Sequence, residues 1–406
     1  MTWSLGRRVA FRLVFAYFFL SLLAQHPAGP LEPLVSWTAA EVFQLPPLDR
    51  TPTGSGDKAV HYVATSCALV LAGAAAIVWS AVDRSRAHPR LYGALRVLVR
   101  YFVAAMMLNY GLVKVFKSQF PAPGPDRLLL PLGEMSPMGL LWTFMGHSAA
   151  YTVFTGLGEA IGGALLFFRR TTTLGALLVA AVMANVVMLN FSYDVPVKLF
   201  SSQLLLWSVF LVAPDGRRLA NLFVLNRPVE PVALRRPFPS RGLERARLVL
   251  KCVVVGSLVA GLTISARSAY STWGDGAPKP GLYGVYEVEE FVRDGEPRPP
   301  LLTDAARWRS VAVSRQGFLV VRHMDDRLAY YTLEEDASRR EVTLTLPADP
   351  GFRARLGLTR PDPERLVLEG RIGEDALALR LRRVDESSFP LLSRGFRWIA
   401  EAPFNR

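Results

Sequence analysis

Three apolar stretches in the middle of the chain decide its fold class: AAYTVFTGLGEAIGGALLFF (149–168), LGALLVAAVMANVVMLNF (174–191) and VPVKLFSSQLLLWSVFLV (195–212). Each is close to the length of about 20 apolar residues with which a helix crosses the hydrocarbon core of a bilayer. Comparable stretches occur at 9–23, 60–82, 95–115 and 248–264. The sequence therefore predicts an α-helical membrane bundle of about seven transmembrane helices.

The composition agrees with a membrane protein and excludes several other classes. Of the 406 residues, 51% are hydrophobic and only 20% are charged, which argues against a disordered chain, a coiled coil or an ordinary soluble enzyme. The net charge is +13, but residues 1–280 carry 27 Lys+Arg against 13 Asp+Glu, whereas residues 281–406 carry 20 against 21. Because the excess lies beside the apolar stretches, it indicates topology, and we expect no nucleic-acid partner.

The positions of the basic residues predict the orientation in the membrane. Short loops rich in Arg and Lys stay cytoplasmic, and every alternate loop is basic, from Arg7 and Arg8 to the arginine-rich loop between the last two spans. We therefore expect a multi-pass protein of the bacterial inner membrane, with its amino terminus cytoplasmic and its carboxyl-terminal domain extracytoplasmic. A cleaved signal peptide is the alternative for segment 9–23, but Arg12 interrupts the run and no A-x-A site follows.

The chain changes character after a Gly/Pro-rich linker, YSTWGDGAPKP (270–280). Short segments that alternate or are rich in β-branched and aromatic residues follow it: 283–291, 308–314, 318–324, 328–335, 341–347, 365–372, 376–383 and 396–402. About eight strands without intervening helices predict an all-β domain, which we expect to be a lipocalin-like antiparallel barrel. The predicted organisation is a helical domain (1–269), a linker (270–280) and a β domain (281–406).

Five motifs resemble a known family: TGSGDK (53–58), YGLVKVFKSQFP (110–121), the segment 136–176 that begins SPMGLLWTF, NFSYDVPVKL (190–199) and RGFRWIAEAPFNR (394–406). Together they resemble the DoxX-like membrane proteins of bacteria, in the long form with a carboxyl-terminal β domain. The wider superfamily includes the membrane subunit of thiosulfate:quinone oxidoreductase and, remotely, the membrane domain of vitamin K-dependent carboxylases. The resemblance implies a DoxX-like core at about 91–214 and a quinone as possible cofactor.

Ionisable residues inside the apolar stretches are candidate site residues, because a charge in the bilayer is costly and is usually functional. Tyr110 and Lys114 lie deep in the third span, and Glu159 lies near the middle of the fourth. They could line a cavity, or Glu159 could form a purely structural ion pair with a cation at similar depth. An inward-facing Glu159 could also relay protons.

The stretch NFSYDVPVKL places further polar residues where two spans meet. Pro196 disfavours helix just before it, so the chain should break here. Asp194 could then cap the start of the next helix, or act as a site carboxylate beside Lys198. At the same predicted outer level lie Asp57, Glu134 and His147. We expect a shared polar site in the outer half of the bundle, although polar loops are common in any membrane protein.

Motifs of several enzyme classes are absent from the sequence, including HExxH, the P-loop, GxGxxG and GxSxG. The two cysteines lie in apolar stretches and the five histidines show no ligand spacing, so no metal site is predicted. Two interpretations remain. The protein is a quinone- or lipid-binding component of a membrane redox or modification system, or a non-enzymatic envelope protein whose β domain binds a partner or lipid. The sequence leaves open whether it is an enzyme.

Overall fold

The computed structural model describes residues 3–26, 29–232, 240–347 and 349–405. The chain forms two compact units. The first, here the helical unit, comprises Met1–Leu112 and Thr155–Thr263; the second, here the barrel unit, comprises Val113–Phe154 and Ile264–Arg406. The helices are α1 Leu5–Ala24, α2 Glu32–Trp37, α3 Ala59–Val82, α4 Pro89–Val115, α5 Pro125–Leu129, α6 Pro137–His147, α7 Ala149–Leu166, α8 Thr172–Ser192, α9 Lys198–Val212, α10 Gly216–Phe223, α11 Arg241–Thr272 and α12 Pro390–Ser393.

Within the described ranges, six helical segments are long and apolar enough to cross a membrane: α3, α4, α7, α8, the α9–α10 segment and α11. Many of their large apolar side chains are exposed, including Val70 and Ile77 at 72% each. Soluble monomers rarely expose contiguous apolar surface of this extent. The fold therefore confirms a multi-pass membrane protein with a helical bundle.

The first predicted span forms helix α1, whose 20 residues include three arginines. It is as long as a span but does not belong to the six apolar segments. Helix α1 packs against α3. Arg12, at 1% exposure, donates from Nη1 to Ser80 Oγ (3.0 Å) and from Nη2 to the Asp83 carbonyl (2.9 Å). The apolar run of α1 is interrupted at Arg12 because this arginine lies in the interior of the helical unit and forms hydrogen bonds there.

Close helix packing in the helical unit depends on glycines of α7. A Cβ at Gly162 would lie 2.8 Å from Val179 Cγ2 of α8, and one at Gly163 would lie 2.9 Å from the Ala104 carbonyl of α4. Only a residue without a side chain lets these backbones approach so closely. Gly162 and Gly163 end the sequence GLGEAIGG (156–163), and these distances assign both to helix packing.

Nine strands form one antiparallel sheet in the barrel unit: β1 Gly284–Arg293, β2 Glu296–Pro297, β3 Trp308–Val313, β4 Phe318–His323, β5 Leu328–Asp336, β6 Glu341–Leu346, β7 Asp349–Asp362, β8 Arg365–Ile372 and β9 Asp375–Val384. From β3 to β9 each strand pairs with the next, and β1 pairs with both β3 and β9, so eight strands close a barrel. Strand β2 pairs with β1 and adds a short edge. Its core is apolar, with Leu344, Leu356 and Leu379 at 0% exposure. The predicted antiparallel barrel is confirmed.

One predicted strand does not form, and one long strand is absent from the prediction. Strand β7 is absent from the prediction because Pro350, Gly351 and Pro361 interrupt its pattern, although Ala354, Leu356 and Leu358 alternate inward. The segment 396–402 was predicted as a strand from its aromatic residues, but it forms none. Since β9 already pairs with β1, the barrel is closed before this segment begins.

The barrel unit includes a segment from between the helical spans. Helix α5 packs against β1, β3 and β4, and the residues of the predicted linker are held by side chains. The Asp275 carboxylate accepts from the Ala122 amide (2.7 Å) and lies 3.7 Å from Lys117 Nζ. Residues 113–154 and the strands therefore form one compact unit. Helix α11 ends at Thr272, within the predicted linker, and β1 begins at Gly284.

Candidate functional site

The loop that contains TGSGDK docks on the amino-terminal end of α9. The Asp57 carboxylate accepts hydrogen bonds from the backbone amides of Lys198 (2.8 Å) and Leu199 (3.0 Å), and the Gly56 amide donates to the Pro196 carbonyl (2.7 Å). Free amides at a helix start need such an acceptor. Asp57 therefore caps α9 from a distant part of the chain, in the role that the sequence suggested for Asp194.

Local backbone geometry explains the residues of both motifs. Gly54 has a φ of +80° and a Cβ at Gly56 would lie 3.3 Å from Val197 Cγ1, so the loop needs glycine at both positions. The chain breaks between α8 and α9, as Pro196 predicts. Asp194 adopts a φ of +51° in this break, and its carboxylate lies 2.7 Å from Lys198 Nζ.

A cavity of about 470 Å³ lies beside this junction in the helical unit. Tyr110 of α4, Phe200 and Gln203 of α9 and His61 of α3 contribute to its wall. The residues on either side of Asp57 and of Lys198 also line it; its full lining is Ala24, Gln25, His26, residues 50–56, Lys58, Val60, His61, Ala64, Tyr110, Val197, Leu199, Phe200 and Gln203. We call it the Tyr110 cavity.

Gln203, in the wall of the Tyr110 cavity, belongs to a chain of hydrogen bonds between side chains. Gln203, which is 9% exposed, donates from Nε2 to Tyr17 Oη (3.2 Å) and accepts from Gln25 Nε2 (3.5 Å). His61 Nδ1 is buried without a hydrogen-bond partner among the described residues. Buried polar atoms are nearly always paired, so this wall has hydrogen-bonding capacity that the protein itself does not use.

Lys58 lines the cavity, and its charge is paired. Its Nζ lies 2.6 Å from Asp49 Oδ2 and donates to the Thr51 carbonyl (2.6 Å). The hydrogen bond from Lys58 holds the pKa of Asp49 well below its usual range. The loop is therefore tied by a charged pair at neutral pH. Its shape is set before any ligand arrives.

The structure divides the other candidate residues. Glu159 is buried at 2% exposure in the helical unit and Lys114 at 8% in the barrel unit, and each has an interaction partner. The Asp194 side chain is 83% exposed and does not line the cavity. Glu134 and His147, both in the barrel unit, are exposed. Of the eight candidates, Tyr110 lines the cavity and Asp57 and Lys198 support its wall.

Two charged residues outside the set of candidate site residues are also buried. Arg12 has its partners at the end of α3 and in the turn after it, as described above. Lys117, at 7% exposure, donates from Nζ to the Gly146 carbonyl (2.7 Å), and burial lowers its pKa. A Cβ at Gly146 would lie 2.1 Å from the Pro121 carbonyl. The glycine in the motif FMGH was the available signal, since it marks this close approach.

The described part of the chain contains no group of three or more His, Cys, Asp or Glu residues that could hold a metal ion. The arrangement defines a class: a multi-pass membrane protein that carries an antiparallel β-barrel and has a polar cavity in its helical unit.

Comparison with known proteins places the chain more narrowly. It is 32% identical over 124 residues to the uncharacterized protein YwoB of Bacillus subtilis (strain 168), a match that spans 30% of this chain and 79% of the relative. The chain belongs to the same family as YwoB. No family model and no solved structure matches it.

Proposed function

We propose that the Tyr110 cavity binds the headgroup of a quinone or a lipid, and that the protein serves as the ligand-binding component of a membrane redox or modification system. One observation carries the proposal. A cavity of about 470 Å³ combines aromatic and aliphatic walls with a few fixed polar groups, in a bundle of membrane-length helices. Small-molecule sites typically have this composition and size.

The chemistry of the wall suits a flat ring with hydrogen-bond acceptors. The Tyr110 and Phe200 rings lie 6.3 Å apart between centroids, and aromatic side chains pack well against another ring. Tyr110 carries a hydroxyl and Gln203 an amide, which are donors to a quinone carbonyl oxygen. A quinone also fits the resemblance to DoxX-like proteins, and we propose that assignment with it. The proposal concerns binding and assigns no catalytic step.

The test is the quinone content of protein purified in mild detergent, measured by solvent extraction and ultraviolet chromatography. We expect a co-purifying quinone in the wild-type protein and at least a tenfold lower content in Gln203→Leu and Tyr110→Phe. Asp194→Asn is the matched control, because its side chain is exposed and lies outside the cavity. A quinone content that is equal in all four proteins, or a phospholipid in its place, would reject the quinone and separate the two ligands.

The second function, an envelope protein whose β domain binds a partner or lipid, has its own supporting observation. The final segment exposes Phe396, Trp398 and Ile399 at 80%, 91% and 76%. Exposed apolar clusters of this kind mark interaction surfaces. We expect the double substitution Phe396→Ser and Trp398→Ser to remove a co-purifying membrane protein and leave quinone content unchanged. If the double variant keeps every protein that co-purifies with the wild-type chain, this surface is not the site of function and the Tyr110 cavity is favoured.

We also propose the orientation that the basic loops predict, with the amino terminus in the cytoplasm. Single cysteines at Ser55 and Ser338 should react with a membrane-impermeant maleimide added to intact spheroplasts, after Cys67 and Cys252 have been replaced by alanine. Cysteines at Ser85 and Ser240 should react only after permeabilisation. Labelling of Ser240 in intact spheroplasts would invert the topology.

A further inference from the structure

A second cavity, of about 780 Å³, opens in the helical unit near the start of α4, at the other end of that helix from Tyr110. It is bounded by the α7–α8 turn and the α9–α10 turn. Five arginines line it, and Asp215 is the only acid among its lining residues; the arginines are Arg96, Arg100, Arg169, Arg170 and Arg218. We call it the Arg100 cavity.

The one acid is already engaged by neighbours. Asp215 Oδ1 accepts from Arg218 Nη1 (2.8 Å), and Asp215 Oδ2 accepts from Thr173 Oγ1 (2.6 Å). Arg100 donates from Nη1 to the neutral hydroxyl of Thr172 (3.3 Å), and its Nε is buried without a partner among the described residues. The positive charge of Arg100 therefore lies next to an uncharged acceptor.

Neighbouring arginines add to this unbalanced charge. Arg96, Arg100 and Arg170 have no carboxylate within 4.0 Å in the described ranges, and the positions outside those ranges contain no Asp or Glu. Asp215 is engaged by Arg218, so Arg96, Arg100 and Arg170 add three positive charges that no other carboxylate among the lining residues balances. Like charges repel and a partly buried guanidinium without an anion is costly, so an anion from outside the protein would stabilise this arrangement.

The geometry points to a phosphate group as that anion: we propose that the Arg100 cavity binds a phosphate-bearing ligand. A guanidinium donates two parallel hydrogen bonds to phosphate oxygens, which makes arginine the usual residue for this group. Basic pockets between the ends of transmembrane helices bind anionic phospholipid headgroups. Val97 and Leu211 give the cavity an apolar part, which favours a phospholipid headgroup over a free phosphate as the source.

The lipid arm of the test uses full-length protein that has been delipidated in detergent. Phosphatidylglycerol is titrated against phosphatidylcholine, with bound lipid counted by native mass spectrometry and the thermal midpoint recorded in parallel. We expect phosphatidylglycerol to bind and to raise the midpoint, and phosphatidylcholine to do neither. The double variant Arg96→Gln and Arg100→Gln should bind phosphatidylglycerol at least tenfold more weakly. Arg170→Gln, at an exposed position, should weaken binding if the double variant fails to fold.

Arg90→Gln is the matched control, since Arg90 lies on the same helix and is exposed but does not line the cavity. It should bind phosphatidylglycerol like the wild-type protein. The free-phosphate arm repeats the thermal measurement with sodium phosphate against sodium chloride at equal ionic strength. If phosphate stabilises the wild-type protein but not the Arg96→Gln and Arg100→Gln double variant, while phosphatidylglycerol has no effect, that result supports the site and assigns it to a soluble ligand.

The proposal is overturned if neither probe depends on the cavity arginines. An equal loss of phosphatidylglycerol binding in Arg90→Gln and in the cavity variants would also overturn it, because it would mean that general positive charge at this end of the bundle attracts the lipid. Quinone content should be unchanged in every one of these variants. The test is thereby separate from that of the Tyr110 cavity.

Discussion

The helices of the helical unit and the strands of the barrel differ in where their charged side chains lie. In the helical unit, Arg12 and Glu159 are buried at 1% and 2% exposure. In the barrel, ion pairs lie on the outside, for example between Arg380 and Glu290, whose side chains are 63% and 57% exposed. No charged side chain of the described barrel strands is buried. The difference follows from geometry, because strand residues alternate between inside and outside, whereas a helix in a bundle also presents side chains to its neighbours.

The one exception inside the barrel supports this reasoning. Arg307 is 2% exposed, but it is not part of an alternating strand and precedes β3. Its guanidinium donates to the carbonyls of Arg298 (2.9 Å), Trp308 (3.0 Å) and Val288 (3.2 Å). Arg307 is thus buried where three backbone carbonyls supply acceptors. Arg12 of the helical unit instead combines one backbone carbonyl, that of Asp83, with the side chains of Ser80 and Asp83.

The largest expected effect of this difference is at Arg12. Replacing Arg12 by Met removes its hydrogen bonds and leaves Asp83, whose pKa is held well below its usual range by hydrogen bonds from Ser85, without its arginine. Losing hydrogen bonds to a buried charged group costs about 1.5 to 3 kcal/mol. We expect Arg12→Met to lower the unfolding free energy by about that amount, measured by denaturant titration in detergent micelles.

The matched control for Arg12→Met is Arg380→Met in the barrel. Exposed ion pairs contribute about 0 to 1 kcal/mol, so this variant should change the unfolding free energy by less than about 1 kcal/mol. The double variant Arg12→Met and Asp83→Asn should recover part of the lost stability, since it removes the carboxylate left behind. Equal losses in Arg12→Met and Arg380→Met would contradict the contrast between the units.

A smaller effect is expected at the start of α9, where two aspartates of one unit differ in burial. The Asp57 side chain is 9% exposed and caps the helix with two hydrogen bonds, whereas the Asp194 side chain is 83% exposed. Loss of a helix cap costs about 1 kcal/mol. Because both carboxylate oxygens of Asp57 accept, Asp57→Asn leaves one of the two amides without an acceptor. We expect it to destabilise the protein by about 1 kcal/mol and to speed hydrogen exchange at the Lys198 and Leu199 amides.

Asp194→Asn serves as the comparison, because Asn tolerates the positive φ that Asp194 adopts. It should leave both stability and exchange nearly unchanged. If Asp194→Asn destabilised the protein more than Asp57→Asn, the ion pair with Lys198 would matter more than the cap.

This pair of aspartates also shows what the sequence could and could not predict. Proline and its neighbours predicted the break before α9, because that restriction is local. The cap was beyond prediction, since Asp57 reaches α9 only through the folding of a distant loop, and Asp194 was nearer in sequence. The Tyr110 cavity has the same property: its wall comes from four helices and a loop, and only Tyr110 was visible beforehand as a deep polar residue.

The barrel was easier to predict, because the alternation of inward and outward residues along a strand is visible in the sequence of that strand. Strand β7 shows the limit. Its inward residues alternate, but proline and glycine at its ends concealed a strand that pairing with β6 and β8 stabilises. Conversely, the aromatic residues around Trp398 suggested a strand, yet a closed barrel has no free edge to pair with them. Pairing partners, unlike periodicity, cannot be seen in one segment.

The smallest expected effect concerns His323, the last residue of β4, where the barrel places an ionisable ring partly inside. Burial lowers the pKa of His323, and the nearby charge of Arg327 adds to this. Its Nδ1 is buried without a hydrogen-bond partner among the described residues. The neutral ring is therefore the form that the folded barrel favours.

The sign of the pH dependence follows from that preference. Between the lowered pKa of the folded state and the ordinary value of about 6.5, the unfolded chain binds more protons, so stability rises with pH in this window and levels off above it. The pKa values of Asp336 and Asp385 in the barrel are lowered, so these carboxylates lose their contribution to stability only at more acid pH.

We expect acidification from pH 7 to pH 5 to destabilise the barrel strands, and His323→Asn to reduce that loss of stability. Hydrogen exchange of β3 and β4, corrected for intrinsic exchange at each pH, measures it, with His147→Asn as control because His147 is an exposed histidine of the same unit. An unchanged pH dependence in His323→Asn would show that protonation of His323 is not the cause of the destabilisation.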